Sequence, residues 1–488
     1  MTALILLPLL APVLATLCAA TLGRRGLTSA ATVVSALTIL GCGAALGFQL
    51  GDRAHVAVDG LLRADALSAT MLIVIGVVGS LATWASIGYI DTELANGHTD
   101  ARGARLYGIL TPAFLAAMAL AVSANNIGVV WIAVEATTVV TAFLVGHRRS
   151  RAALEATWKY VMVCSVGITI AFLGTVLLHF AALHAGADSE DALNLDVLAA
   201  HAGALDPAVT RLAGALLLIG YGAKMGLVPF HTWLADAHSQ APAPVSALMS
   251  GVLLSVAFSV LIRIKPIIDV AVGPGYLRNA LLAAGLATLL IAALLLSVTG
   301  DLKRMLAYSS METMGLIAIA AAAGTQLAIT ALLLHVAAHG VGKTVLFLAG
   351  GQLQAAHGTT AIGEITAVLG RSRLVGGAFA AGMVILLGLP PFAMFASEVA
   401  IAAALADARL AWALGLAMVA LVVAFAALVR NSGRMLLGSP HAGSPTIRVP
   451  VTVAGALVAG VLLSLALGVT AGPLSGLFET AATQLGVR

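Results

Sequence analysis

The sequence predicts an all-α integral membrane protein with about 14 transmembrane helices. Of its 488 residues, 60% are hydrophobic and only 9% are charged, whereas about 25% of the residues in a soluble globular domain are charged. Apolar stretches of about 20 residues, the length that crosses the hydrocarbon core as a helix, also recur from one end of the chain to the other. The composition therefore excludes a soluble fold.

The positively charged residues are distributed unevenly among the short polar segments that separate the apolar runs. If Met1 lies outside, alternate segments collect most of the arginines and lysines, and the positive-inside rule makes those segments cytoplasmic. They contain Arg24, Arg25, Arg102, Arg105, Arg148, Arg149, Arg151, Lys303, Arg304, Arg371, Arg373, Arg430, Arg434 and Arg448. The basic residues form no dense patch with interleaved aromatic side chains, so the net charge of +4 does not indicate nucleic-acid binding.

The whole chain, 1–488, is predicted to form a single polytopic membrane domain. Its longest polar interruptions, roughly 91–106, 184–207 and 431–449, are each too short to fold around a core of their own. The sequence therefore predicts no separate soluble domain.

Two glycine- and proline-rich segments interrupt the apolar pattern at membrane depth. The first contains Gly220, Gly222, Gly226 and Pro229, with Pro242 and Pro244 close behind, and the second contains Gly388, Pro390 and Pro391. Interrupted helices in corresponding places of two halves are typical of an ion pathway between inverted repeats. Simple kinks between packed helices are the alternative, because glycine and proline are common in transmembrane helices.

Two ionisable residues stand out within these apolar runs, where a charge costs at least about 2.5–3.5 kcal/mol and therefore indicates function by default. Glu135 lies within IGVVWIAVEATTVVTAFLVG, so its carboxylate must be paired, protonated or next to a water-filled cavity. Lys224 lies in LLLIGYGAKMGLVPF, among glycines that favour an opened helix. A lysine placed between burial and a nearby carboxylate is able to load and release a proton. Snorkelling of Lys224 to the interface is the alternative.

A histidine and lysine stripe gives the most specific pattern. His335, His339 and Lys343 follow at intervals of four residues, so they share one helix face over about 12 Å. Three titratable groups in register predict a path for protons along this face. Metal binding by the two histidines is the alternative, but the sequence shows no obvious companion ligand, and no metal site is predicted.

Four further ionisable residues have weaker signals. Glu398 follows the second break in GLPPFAMFASEVAIAAAL and is predicted to face a half-channel, with helix capping near a bend as the alternative. Glu155 and Lys159 have the spacing of an ordinary pair on a helix surface. Glu312 follows a cytoplasmic turn, and only its position at the start of an apolar run makes it a candidate.

The segment KMGLVPFHTWLADAHSQAPAPVSALMSG resembles the signature of the antiporter-like membrane subunits. That family includes the large membrane subunits of respiratory complex I, the multisubunit cation/proton antiporters and the membrane subunits of energy-converting hydrogenases. The resemblance extends from ANNIGVVWIAVEATTV through ALEATWKYVMVCSVGI and DLKRMLAYSS to the histidine and lysine stripe and GLPPF. Within the family, the segments SGVLLSVAFSVLIR, FASEVAI and RNSGRMLLG most resemble the hydrogenase-4 component F group.

The resemblance implies a fold of two inverted repeats with broken helices, which we place at 106–263 and 275–430, and a lateral proton path through the membrane centre. It implies that Glu135 matches the glutamate that pairs with the lysine at Lys224. By the same resemblance, the central relay corresponds to His335, His339 and Lys343, and the acid on the second broken helix to Glu398.

Two positions depart from the family pattern. Complex I and antiporter subunits usually have a lysine where this chain has Ser255, and the family often has a histidine where this chain has Thr313. Neither replacement carries a charge, so a proton path between Lys224 and His335 would need water or the flanking Glu312.

The resemblance implies a multi-pass subunit of a bacterial cytoplasmic membrane that moves protons. Electron transport would take place in partner subunits, namely other membrane subunits and a peripheral hydrogenase-like or NADH dehydrogenase-like arm, and we predict no cofactor in this chain. The sequence leaves three alternatives to a proton-translocating subunit: a cation/proton antiporter subunit, a quinone-reducing subunit, and a non-pumping membrane anchor for a hydrogenase.

Overall fold

The computed structural model describes residues 1–23, 26–51, 54–438, 447–470 and 472–486. Arg24 and Arg25, which the charge pattern places on the cytoplasmic side, lie outside the described residues. So does the central part, 439–446, of the last polar interruption.

The described regular structure is almost entirely helical. The helices are α1 (Thr2–Leu22), α2 (Gly26–Gln49), α3 (Ala66–Ala95), α4 (Ala101–Ser123), α5 (Ile127–Val145), α6 (Arg151–His184), α7 (Leu195–His201), α8 (Pro207–Met225), α9 (Thr232–Gln240), α10 (Ala243–Leu248), α11 (Leu254–Val272), α12 (Gly275–Val298), α13 (Leu302–Ala323), α14 (Gln326–His357), α15 (Val368–Arg371), α16 (Arg373–Leu386), α17 (Ala393–Asp407), α18 (Ala411–Leu436), α19 (Val451–Val469) and α20 (Gly472–Gln484). Two short 3-10 turns, Gly146–Arg148 and Ala202–Ala204, and one π-helical turn, Met249–Leu253, join some of them. The strands β1 (His55–Ala57) and β2 (Leu62–Ala64) pair antiparallel.

Twelve helical segments in the described ranges are long and apolar enough to cross a membrane. Two more apolar stretches are interrupted, because α8 and α9 are separated by 226–231 and α16 and α17 by 387–392. If each interrupted pair makes one crossing, the count agrees with the predicted number of about 14. The all-α membrane fold is therefore confirmed, with breaks where glycine and proline predicted them.

The centre of the bundle lies along α14 and along the segment from α10 to α11. Within the apolar 18-residue window of each segment, every residue of Ala243–Val272 and 94% of the residues of α14 are buried. By contrast, α1 and α19 bury only 28% and leave leucine and valine side chains exposed. In a membrane these exposed apolar side chains face lipid, whereas the polar groups of the central helices must be satisfied within the protein.

The first break forms because α8 ends in a left-handed glycine. Gly226 has φ +78°, and a Cβ atom there would come within 2.6 Å of Leu234 Cδ1. The amides of Gly226 and Leu227 donate to the carbonyls of Ala223 and Gly222, which is a Schellman motif. The chain then reaches Pro229, which has no N–H with which to continue the helix.

The second break repeats this arrangement. Gly388 has φ +58°, and the amides of Gly388 and Leu389 donate to the carbonyls of Ile385 and Val384. The two breaks also share a sequence, since GLVPF at 226–230 corresponds to GLPPF at 388–392. This common local structure supports the two predicted repeats, whose boundaries at 106–263 and 275–430 stay a prediction.

A buried ion pair fixes α11 to the start of α3. Asp65 caps α3 by accepting from the Ser68 amide at 2.8 Å, and Arg263 Nη1 and Nη2 donate to its two carboxylate oxygens at 2.5 and 2.8 Å. Arg63 Nε donates to the same carboxylate at 2.7 Å. Burial alone would raise the pKa of Asp65, but Arg263 and Arg63 hold it well below its usual range. This pair therefore stays ionised and holds two helices in register.

We expect Arg263→Met to destabilise the protein by about 3–5 kcal/mol, because it leaves the buried Asp65 carboxylate with Arg63 alone. Unfolding of the purified protein in detergent measures the change. The double variant Asp65→Leu/Arg263→Met removes both charges and should lose less stability than the single variant. A single variant as stable as the wild type would show that this pair does not hold the helices together.

Candidate functional site

Lys224 lies at the end of α8, directly before the first break, and is fully buried. Its Nζ donates to Tyr160 Oη at 2.6 Å and to Thr138 Oγ1 at 2.8 Å. Tyr160 Oη in turn shares a short hydrogen bond with Thr141 Oγ1. Among the described residues, no carboxylate lies within ion-pair distance of this Nζ. A protonated Lys224 is therefore stabilised at contact distance by hydroxyl groups only.

Glu135 lies on α5, one helical turn before Thr138. Its Oε1 accepts a hydrogen bond from Ser165 Oγ at 2.9 Å, and its Oε2 is buried without a hydrogen-bond partner in the part of the chain that the structure describes. Glu135 and Lys224 lie within electrostatic range of each other. The two residues form no direct ion pair here, since the contacts of Nζ are the hydroxyls of Thr138 and Tyr160. The functional pairing implied by the resemblance stays a prediction.

The predicted stripe of His335, His339 and Lys343 lies on the continuous helix α14, and all three side chains are buried. At one end, His335 Nδ1 forms a 2.9 Å hydrogen bond with Ser397 Oγ of α17. At the other end, Lys343 Nζ donates to the Leu306 carbonyl of α13 at 2.7 Å and, by a short bond, to Ser309 Oγ. The stripe thus links α17 with α13 through the centre of the bundle.

Between these ends, His339 has no hydrogen-bond partner for either ring nitrogen within the described ranges. The Nε2 of His335 is likewise unpaired there. Buried polar atoms without a protein partner are rare in folded proteins and are frequent at functional sites, so these imidazole nitrogens mark the centre of the stripe as a candidate site. In the described part of the chain, no three His, Cys, Asp or Glu side chains are grouped to hold a metal ion.

Glu398 lies on α17 beside Ser397, and is half-buried. Its carboxylate packs directly against the backbone of Gly388, where a Cβ atom would collide with it. It also lines a cavity of about 310 Å³ between α17 and α18, together with Phe395 and Phe425. The second break therefore holds the Glu398 carboxylate between the Gly388 backbone and this cavity.

Glu312, an auxiliary candidate, lies on α13 one turn after Ser309. It is within electrostatic range of both Lys343 and Glu398. The sequence indicated only its place in an apolar run, whereas the structure brings it to the junction between the stripe and the second broken helix.

The two uncharged departures lie on central helices, Ser255 on α11 and Thr313 on α13. Ser255 is fully buried, and its Oγ has no partner in the described structure. Thr313 is also buried and donates to the Ser309 carbonyl at 3.2 Å. Both positions therefore present neutral hydroxyl groups where the family pattern has titratable ones.

A π-helical turn, Met249–Leu253, directly precedes α11 and lies close to Ser255 in the sequence. Ser250 in this turn shares a 2.6 Å hydrogen bond with Ser310 of α13, and the turn meets α14 where Gly251 faces Gly340. Because π-helical turns disturb the regular backbone ladder, they are frequent at functional sites.

The sequence reasoning missed several buried titratable residues, and two of them, His238 and Lys303, lie within electrostatic range of each other. His238 on α9 stacks on Phe347 of α14 with ring centroids 5.2 Å apart, and both its ring nitrogens lack a partner among the described residues. Lys303 was assigned to a cytoplasmic turn, but it is 2% exposed and its Nζ donates to the Ser239 and Ala241 carbonyls at 3.1 and 2.6 Å. Both residues lie in segments that resemble the family, and this was the only feature of the sequence that could have identified them as candidates.

The auxiliary pair Glu155 and Lys159 forms the predicted surface contact at 2.7 Å. Lys159 also contacts Asp236 at 2.9 Å, and Asp236 contacts Arg304 at 2.6 Å. Glu155 and Lys159 are exposed, so this network lies on the surface and not among the buried groups.

Comparison with known proteins places these residues in a family context. Residues 124–424 match the family described as NADH:quinone oxidoreductase/Mrp antiporter, TM. A hydrogenase-4 component F homolog of Methylacidiphilum infernorum is 35% identical over 386 residues, which cover 79% of this chain and 80% of the homolog. The matched range contains Glu135, Lys224, the stripe and Glu398.

The fold is also similar to solved structures. One is a chain of an archaeal respiratory membrane complex, the membrane-bound sulfane sulfur reductase, with a TM-score of 0.88, 23% identity and coverage of 100% of this chain and 97% of that one. Another is a chain of the Mrp complex of Dietzia sp., with a TM-score of 0.87, 22% identity and coverage of 99% and 98%. These likenesses establish a common fold over the full chain.

We expect Lys224→Met to keep or raise the thermal unfolding midpoint in detergent. Methionine removes a buried ammonium group that has no contacting carboxylate, while Tyr160 keeps its bond to Thr141. A fall as large as that of Arg263→Met would contradict this expectation and would give Lys224 a structural role.

Proposed function

Because the chain belongs to the NADH:quinone oxidoreductase/Mrp antiporter family, as its motifs predicted, we propose that it is a proton-translocating membrane subunit coupled to electron transfer in partner subunits. The single observation that carries the proposal is the set of titratable side chains buried on helices that contact one another around the two breaks. In particular, α8 packs against α6 and α11, and α14 packs against α13 and α17. Such residues are costly inside a membrane and are retained where ions move.

The first part of the proposed path is the group around Lys224. Its ammonium is buried and bonded to hydroxyls, so no contacting carboxylate fixes its proton. A movement of Glu135 toward or away from Lys224 would change the energy of the protonated form strongly, because buried charges are poorly screened. Glu135 would thus control when Lys224 holds or releases a proton.

The second part runs from Lys343 through His339 and His335 to the second break. Ser397 bonds His335 and is adjacent to Glu398 in the sequence, while Glu312 lies in range of both Lys343 and Glu398. Glu398 would exchange protons at the cavity beside Gly388, and Glu312 would connect it with the lysine.

The uncharged region between these parts is proposed to conduct through water. Its polar groups are the hydroxyls of Ser250, Ser255 and Ser310, and the imidazole of His238 lies within electrostatic range of Lys343. Ser255 and His238 both carry buried polar atoms that need partners, and water is the molecule that supplies them. His238 would then serve in place of the charged residue that is missing at position 255.

The proposed setting is a bacterial cytoplasmic membrane, in which the chain assembles with other membrane subunits. A hydrogenase-like or NADH dehydrogenase-like peripheral arm would carry out the redox chemistry. The names of the relatives support this setting, since they include hydrogenase-4 components and NADH-quinone oxidoreductase subunits.

We expect Lys224→Ala to abolish proton translocation while the protein still assembles, because it removes the buried ammonium group at the first break. The measurement is substrate-driven acidification of vesicles that contain the assembled complex, repeated with and without sodium. Lys159→Ala is the matched control, since it removes a lysine from an exposed ion pair, and it should translocate protons like the wild type.

Unchanged proton translocation in Lys224→Ala would contradict the relay. A requirement for sodium in the wild type would instead favour a cation/proton antiporter.

A further inference from the structure

A large cavity lies apart from the proposed proton path, between α4, the end of α5 and the start of α6. Its volume is about 520 Å³, and its walls include Leu106, Leu110, Phe143 and Leu154. Phe143 is 60% exposed and Leu154 is 58% exposed on the outer surface of the bundle. The cavity, which we name the α4–α6 pocket, is therefore an apolar crevice open toward the lipid.

One end of the α4–α6 pocket is polar. His147 lines it and is buried, and its Nε2 has no hydrogen-bond partner in the described residues. The His147 ring also meets Tyr107 edge to face, with centroids 5.5 Å apart. Arg149 lines the same end and is exposed. A buried imidazole nitrogen without a protein partner, beside an exposed guanidinium, is suited to bind a polar, anionic group.

The surface around this end has an excess of positive charge. Arg102 precedes a lining residue of α4 and Arg151 follows Arg149 at the start of α6. Arg105 does not contribute, because its guanidinium donates to the Ala20 carbonyl of α1. The nearest acid in the same turn is Asp100, whose carboxylate caps α4 by accepting from the Gly103 amide at 2.6 Å. Glu155, at the start of α6, is paired with Lys159 at 2.7 Å. The guanidinium groups of Arg102, Arg149 and Arg151 therefore outnumber the nearby carboxylates, and the field at the opening attracts anions.

The neighbouring Arg148 does not add to this excess. Its guanidinium donates to both oxygens of Glu93, at 2.7 and 2.9 Å, so the two charges compensate each other. The available cations are therefore those at the opening of the pocket.

We propose that the α4–α6 pocket binds an anionic phospholipid of the cytoplasmic leaflet. Its acyl chain would lie against Leu106, Leu110 and Phe143, and its phosphate would lie near His147 and Arg149. The positive-inside rule places these arginines on the side where the leaflet is negatively charged. The apolar walls give no partner to a free phosphate ion, whereas an amphipathic lipid satisfies both ends of the pocket.

The size of the pocket favours a lipid over a helix of a partner protein. A helix is about 10–12 Å in diameter with its side chains and rises 5.4 Å per turn. A volume of about 520 Å³ thus holds only about one helical turn. A slender acyl chain enters such a crevice along its length.

The test uses the full-length protein in detergent, titrated with phosphatidylglycerol or phosphatidylcholine and analysed by native mass spectrometry. Arg149→Asn should weaken phosphatidylglycerol binding about fivefold, the contribution of one cation near an anionic lipid, and leave phosphatidylcholine binding unchanged. Asparagine suits this site because Arg149 has φ +52°, a left-handed conformation that asparagine adopts readily.

Arg409→Asn is the matched control. Arg409 is also an exposed arginine with a left-handed backbone, φ +58°, but it lies in the turn between α17 and α18. This control should bind phosphatidylglycerol like the wild type. A second variant, Ala142→Phe, fills the pocket from its wall and should reduce binding of both lipids at an unchanged unfolding midpoint.

Three outcomes would overturn the proposal. In the first, both Arg149→Asn and Ala142→Phe bind phosphatidylglycerol like the wild type. In the second, Arg409→Asn loses as much phosphatidylglycerol binding as Arg149→Asn. In the third, this pocket is photo-cross-linked to a partner protein in the native membrane. Cross-linking of a photoreactive phosphatidylglycerol to 103–110 or 142–157 would support it.

Discussion

The cost of burying an ionisable group away from water governs this structure, and Lys224 shows its consequence most clearly. A lysine inside a bilayer needs hydrogen-bond partners, which a regular helix facing lipid does not supply. Here α6 and α5 provide the hydroxyls of Tyr160 and Thr138, and the helix ends directly after the lysine at Gly226. The lysine is therefore buried at a position where the helix break and the close packing of α6 against α8 supply its hydrogen-bond partners.

Two buried cations in this protein illustrate opposite uses of charge. Arg263 is bound by both oxygens of Asp65, which fixes its proton and its position and makes the pair a structural clamp. Lys224 has only neutral partners at contact distance, so small movements of Glu135 or of water change the energy of its charged form. The stripe on α14 resembles Lys224 in this respect, because its imidazole nitrogens lack partners among the described residues. Lys159 resembles Arg263, because carboxylates bind its ammonium group.

The membrane fold and the two breaks could be predicted because they depend on local features, namely apolar run length and the positions of glycine and proline. The spacing of His335, His339 and Lys343 likewise requires only helical periodicity. By contrast, the bond from Lys224 to Tyr160 joins residues 64 positions apart and depends on how α6 packs on α8. For the same reason a charge count could not show that Lys303 is buried, or that hydroxyls and not Glu135 contact Lys224.

We propose that protons cross from the stripe to the second broken helix through connected titratable groups. The ratio of protons translocated to electrons transferred by the assembled complex carrying Glu312→Gln tests it most directly, because this change keeps the shape of the side chain and removes its proton exchange. We expect the ratio to fall while electron transfer continues. A ratio equal to that of the wild type would contradict it.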